Sequence, residues 1–114
     1  MNSKVEKPWG YFEILKSGKN FLLKKIFVKP GGILSLQSHE YRSEHWIIAE
    51  GEAEITLNDK VLNLKENQNI FIPQGAIHRI SNKSSSDLVI IEMWYGNKLD
   101  ENDIKRFEDI YERT

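Results

Sequence analysis

Apolar and polar residues alternate in short runs along most of this chain, and clusters of Gly, Pro, Asn and Ser interrupt the runs at close spacing. A side-chain period of two is the mark of a strand with one buried face, so the pattern predicts many short strands. They fall at 10–15, 21–28, 34–39, 44–50, 53–57, 60–64, 69–72, 78–81 and 88–94. Pro30-Gly31-Gly32 turns the chain, because proline brings no backbone donor and two glycines pack no side chain. Asn58-Asp59 separates two alternating runs as a two-residue hairpin turn, since both residue types tolerate positive φ. The polar stretch from Asn82 to Asp87 is a loop, too short to link two domains. Beyond Gly96 the period changes: Ile104, Phe107, Ile110 and Tyr111 have the spacing of a helix with one apolar face. Asp100 would cap that helix, Glu101 and Asp103 would oppose its dipole in the first turn, and Arg113 would sit near its negative end. The expected architecture is all-β with a short C-terminal α-helix, in one domain spanning 1–114.

Composition narrows the function classes. A chain of 114 residues matches one domain and leaves no room for a second catalytic one. With no cysteine there is no disulfide, thiolate metal site or cysteine nucleophile, which suits a reducing cytoplasm. Lys and Arg total 16 against 17 Asp and Glu, a net charge of -1, so no basic excess favours nucleic acid. The longest apolar stretches fall far short of a membrane span, and Met1-Asn2-Ser3-Lys4 leads into no apolar signal core. The expectation is a soluble, cytoplasmic protein with neither a nucleic-acid nor a membrane partner.

The chemistry gathers between Gly31 and Gly51. Gln37 and His39 are two apart, so on a strand they project from one face, together with Ser35. Glu44 opens the next strand, close enough after the turn to meet them, with Trp46 and Ile48 on its own face. His78 lies in a second polar cluster from Pro73 to Asn82. Two imidazoles, a carboxylate and an amide oxygen suit a hard or borderline divalent ion. Each alone has an ordinary structural explanation. Together, Gln37, His39, Glu44 and His78 on an otherwise apolar inner face point to one metal ion.

These residues resemble the cupin superfamily. Its first motif is matched by Gly31, Gln37, His39, Glu44 and Gly51, and its second by Pro73, Gly75, His78 and Asn82, with Gln37 in place of a usual His and Asn67 in place of a usual Gly. The resemblance implies a jelly-roll-like double-stranded β-helix barrel. It narrows to the isomerase domain of the type II mannose-6-phosphate isomerases through Lys7-Pro8-Trp9-Gly10-Tyr11, Gln37-Ser38-His39, Arg42-Ser43-Glu44-His45-Trp46, His78-Arg79 and Asp103-Ile104-Lys105-Arg106-Phe107-Glu108-Asp109. Nearly the whole chain is covered. The nucleotidyltransferase half of those longer enzymes has no counterpart in this sequence, and Glu40-Tyr41, Trp94 and Asn102 depart from the family pattern.

The resemblance implies a metal-dependent isomerisation of mannose 6-phosphate to fructose 6-phosphate. The ion would be zinc, with manganese, iron, cobalt and nickel compatible with the same ligands, and it would act as a Lewis acid on substrate oxygens. Such a reaction also needs a base beside the migrating proton. Lys24 is a candidate if burial lowers its pKa, and an exposed strand lysine otherwise. Arg42 and Arg79 are the candidate phosphate ligands; Arg79, next to His78, faces the other side of a regular strand, and if it reached the pocket it could also steady charge on the migrating oxygen. Trp9 and Trp46 would wall the sugar or pack the core. A non-catalytic sugar-phosphate-binding module and an isomerase or epimerase of another phosphorylated or nucleotide-linked sugar are the alternatives. A homodimer is expected, because a small open-ended barrel leaves edge strands to cover.

Overall fold

The computed structural model describes residues 4–112. The chain forms β1 (Lys4–Lys7), β2 (Gly10–Ser17), β3 (Phe21–Val28), β4 (Leu36–Ser38), β5 (Ser43–Glu50), β6 (Ala53–Leu57), β7 (Lys60–Leu64), β8 (Asn69–Ile72), β9 (His78–Ser81), β10 (Leu88–Tyr95) and β11 (Lys105–Glu108). They make two sheets, β1-β2-β3-β10-β5-β8 and β11-β4-β9-β6-β7. Every named pairing is antiparallel. Alternation sends Trp46, Ile48, Ile55, Ile80, Leu88 and Ile90 into one core between the sheets. The Asn58-Asp59 hairpin forms as read, joining β6 to β7 with Asn58 at φ 54°. Asn67 likewise takes positive φ, 72°, where the related motif has glycine.

The strand predicted at 34–39 shortens to β4, and Ile33 makes only an isolated bridge to Ser81. β1, absent from the sequence reading, pairs along β2. The C-terminal helix is not formed. Lys105 to Glu108 instead continues the second sheet as β11 on the open edge of β4, with Lys105 opposite Ser38 and Arg106 opposite Gln37. Ladder hydrogen bonds to that edge outweigh the helical spacing, and strand alternation leaves Phe107 exposed. Asp100 caps a turn rather than a helix, its Oδ1 accepting from the Asn102 N–H at 2.8 Å. Arg113 lies outside the described residues, as do Met1, Asn2 and Ser3. Among the described residues no helix is long and apolar enough to cross a membrane.

Register grades the inner face of the larger sheet. One row places Ile26 beside Ile90 and Ile90 beside Ile48. The next sets Lys24, Glu92 and Trp46 side by side, and the row after that sets Trp94 beside Glu44. The core is therefore apolar at one end of the barrel and ionisable toward the other. In the smaller sheet Arg106, Gln37 and His78 form a matching polar row.

Candidate metal centre and cavity

The polar rows enclose a cavity of about 240 Å³. Of the residues named from sequence, Trp9, Lys24, Gln37, Arg42, Glu44, Trp46, His78 and Arg79 line it. His39 reaches the lining residue Glu44, with Nε2 3.2 Å from Glu44 Oε2. His78 Nε2 is 4.0 Å from Glu44 Oε1. All three residues are buried, and one ligand atom from each falls within 4.8 Å of the others.

Hydrogen bonding fixes how the imidazoles present themselves. His39 Nδ1 lies 2.6 Å from the Asp103 carbonyl, and His78 Nδ1 lies 3.0 Å from the Ala76 carbonyl. A carbonyl only accepts, so each Nδ1 carries the proton and each Nε2 directs a lone pair toward Glu44. Burial lowers His39 to about 4 despite the opposing pull of Glu44, and lowers His78 for the same reason. Both rings are therefore neutral at pH 7. Burial alone would raise Glu44, but the Arg42 guanidinium, opposite in charge and bonded to it, outweighs burial and holds the carboxyl below its ordinary range. Two neutral lone pairs and a carboxylate converging in a dry place form an acceptor cluster suited to a cation. A ligand histidine commonly donates its second N–H to a carbonyl in this way. The donor set thus fits a divalent ion. Gln37 lines the same cavity, its Nε2 donating to Ser35 Oγ at 2.9 Å.

Several neighbours hold this cluster in place. Trp46 Nε1 donates to Glu44 Oε1 at 2.9 Å, and its ring meets the His78 ring edge-on at 5.4 Å between centroids. Trp46 therefore fixes the carboxylate, and Trp9 packs into the core beside the cavity. Arg42 donates from Nε to Glu44 Oε2 at 2.8 Å, and its guanidinium carbon sits over the Trp94 ring, 3.3 Å from the centroid. Its Nη2 is 3.2 Å from His39 Nε2. Lys24 is buried, which decides against the exposed-lysine alternative. Its ammonium pairs with Glu101 at 2.9 Å and sits 4.0 Å over the rings of both Phe12 and Trp94. Arg79 touches the cavity, while its guanidinium binds Glu108 at 2.8 Å and the Leu34 carbonyl at 3.0 Å.

The residues from Asp100 to Asp103, expected to begin a helix, instead strap the mouth. Asp100 accepts from Arg42, Glu101 binds Lys24, and Asp103 accepts from the backbone N–H groups of Glu40 and Tyr41. Sequence reasoning also passed over Glu92. This carboxylate is buried on the cavity wall, and burial, with Glu44 adding and Lys24 opposing, raises it to about 8. A signal was present: Glu92 shares the inner face with Leu88, Ile90 and Trp94, where a charge is out of place.

Known proteins place this geometry in context. The family model described as "Mannose-6-phosphate isomerase C-terminal" matches residues 1–109. The chain is 50% identical over 111 residues to the xanthan biosynthesis protein XanB of Xanthomonas campestris pv. campestris, covering 97% of this chain and 24% of that protein. It is 46% identical over 110 residues to the alginate biosynthesis protein AlgA of Pseudomonas aeruginosa, covering 96% of this chain and 23% of AlgA. The chain thus spans about a quarter of the length of the curated relatives it matches. A solved Klebsiella pneumoniae protein with a double-stranded β-helix domain superposes with a TM-score of 0.74 at 15% identity, over 85% of this chain and 83% of that one. The all-β cupin-type barrel read from the motifs stands.

Proposed function

The chain belongs to the mannose-6-phosphate isomerase C-terminal family, and from that premise we propose that it interconverts mannose 6-phosphate and fructose 6-phosphate with the aid of one divalent metal ion. The observation that carries this reading is the convergence of His39 with Glu44 and His78, the last two lining a cavity whose walls also bear Lys7, Lys24, Arg42 and Arg106. His39, Glu44 and His78, with the Gln37 amide oxygen, would hold the ion. Zinc is the first candidate, because two imidazoles and one carboxylate with a position left open suit it, and manganese, iron, cobalt and nickel accept the same donors. When bound, it would act as a Lewis acid that steadies negative charge on the sugar oxygens.

The remaining work falls to this chain's own side chains. Lys24 brings a cation close to the reacting carbons and helps balance charge developing on a sugar oxygen. The phosphate group meets the guanidinium groups named from sequence, Arg42 from within the cavity and Arg79 at its edge, with Arg106 adding charge beside Gln37. Trp9 and Trp46 give the sugar an apolar wall, and Trp46 also keeps Glu44 aimed. The strap from Asp100 to Asp103 closes the mouth and limits the entry of water.

The test is isomerisation of a sugar-phosphate panel by purified protein supplied with each divalent ion, run in deuterated water. Turnover of mannose 6-phosphate with label entering the carbon next to the carbonyl supports the proposal. Glu44→Gln and His78→Ala should abolish both. Binding of a sugar phosphate without turnover or exchange would replace this reading with a binding module, and turnover of a different phosphorylated sugar would reassign the substrate.

A further inference from the structure

We infer that the Glu92 carboxylate carries the migrating proton between the two carbons of the sugar, an assignment that rests on the isomerase reading above. Burying Glu92 on its strand is costly. A carboxylate in a strand as apolar as Leu88–Tyr95 loses its hydration, and proteins seldom keep one there without a partner or a task. Its neighbour across the ladder is Lys24, yet the ion pair that Lys24 makes is with Glu101 at the mouth. Among the described residues Glu92 receives one hydrogen bond, from Trp94 Nε1 to Oε1. Its Oε2 is left for whatever occupies the cavity that Glu92 lines.

The other candidates are committed elsewhere. Glu44 accepts from Arg42 on one oxygen and from Trp46 on the other. His39 and His78 each donate from Nδ1 to a carbonyl and turn Nε2 toward Glu44. Lys24 is surrounded by a carboxylate and two ring faces, the partners of an ammonium ion rather than of a free amine. Glu92 is the inner-face carboxylate with an oxygen to spare, on the wall of the cavity that the substrate would fill. The charged groups facing it are Lys24 from β3, Glu44 from β5 and Arg42 from the turn before β5.

Glu92 Oε2 takes the proton from C2 of the open-chain aldose. The C–H electron pair becomes the C1–C2 double bond, and the carbonyl π pair moves onto O1. The hydroxyl proton of O2 passes to O1, the O2 carbonyl forms, and Glu92 returns its proton to C1. Nothing is oxidised overall, and the carboxylate is regenerated.

Glu92→Gln tests this, because glutamine keeps the shape and can still accept from Trp94. The variant should lose isomerisation and solvent exchange by about 10²–10⁴-fold, while calorimetric binding of mannose 6-phosphate and metal content stay at wild-type levels. Glu92→Asp should retain part of the activity with an altered pH profile. If wild type isomerises and Glu92→Gln does so within a few fold, the assignment is overturned and the isomerase reading survives. If wild type shows neither turnover nor exchange, both fall. Should Glu92→Gln fail to fold, a folded Glu92→Asp with wild-type rate and pH profile overturns the assignment on its own.

Discussion

His39 and Glu44 meet at 3.2 Å between Nε2 and Oε2, although His39 keeps its proton on Nδ1, bound to the Asp103 carbonyl. Two acceptors this close need positive charge between or beside them. Arg42 supplies some, reaching both atoms from one side. The pairing gives a direct expectation about ions.

Divalent ions should stabilise the folded protein. One site filled at a hundredfold excess over its dissociation constant adds about 2.7 kcal/mol, provided the unfolded chain does not bind. Thermal melts with zinc, manganese or cobalt should therefore show a rise in Tm that is absent in His39→Ala and His78→Ala. An equal rise in wild type and both variants would show that the ions bind elsewhere.

The metal-free protein should have a stability profile with two opposed limbs. His39 titrates near 4 when folded against an ordinary 6.5, so as pH falls below 6.5 the unfolded chain takes up the proton first and stability drops. His78 acts in the same direction. Glu92 has the reverse sign. Raised from 4.5 to about 8, it holds in the folded state a proton that the unfolded chain has released, so stability falls as pH climbs through that window. Above 6.5 the Glu92 slope remains without the histidines' opposition. Urea midpoints in chelator should decline from pH 6.5 to 8 in wild type and flatten in Glu92→Gln; a matching decline in both would remove Glu92 as its cause.

What could be read from sequence depended on which interactions were local. Strands such as Phe21–Val28 and His78–Ser81 were legible because alternation is a property of the strand itself. β1 was not, since Lys4-Val5-Glu6-Lys7 offers one apolar residue and gains its order from pairing with β2. The C-terminal spacing favoured a helix, yet the edge of β4 and the partners of Asp100, Glu101 and Asp103 lie far away in sequence, and they decide the outcome. In the site, parity put Gln37 and His39 on one face and Glu44 on the face of Trp46, and ligand chemistry joined His78 to them. The duties of Trp46 and Arg42 toward Glu44 depend on rotamers, which parity does not reveal. Glu92 was readable in principle by the same parity that found Glu44.

The strap should matter for both stability and the metal. The Asp103 carboxylate accepts two backbone N–H bonds, from Glu40 and Tyr41, each at 2.9 Å. Partial burial tends to raise its pKa, but those two bonds prevail and hold it below the ordinary 3.8. Its contribution is therefore present above that value and is lost as pH falls through the folded one. Asp103→Ala should cost about 1–2 kcal/mol, measured by urea unfolding at pH 7. It should also weaken metal binding, since the carbonyl that holds His39 Nδ1 loses its anchor. Wild-type stability and metal affinity in this variant would mean that β11 pairing alone holds the strap.

Self-association should involve the outer face of the larger sheet. Ile47, Phe71 and Tyr95 are 47%, 53% and 56% exposed, and register places His45 between Met93 and Phe71 and sets Ile47 beside Ile91. These positions alternate with the inward Glu44, Trp46 and Trp94, so the apolar outer surface backs directly onto the cavity wall. This face of Ile47, Ile91, Met93, Phe71 and Tyr95, interrupted by His45 and Asn69 and ending at the edge strand β8, suits a two-fold contact, in which one surface meets its own copy. Sedimentation at micromolar concentration should report a dimer. Phe71→Glu should shift it to monomer while leaving metal uptake intact, because Phe71 points away from the ligands. Monomer alone in wild type, or an unchanged dimer in Phe71→Glu, would rule out this face as the contact.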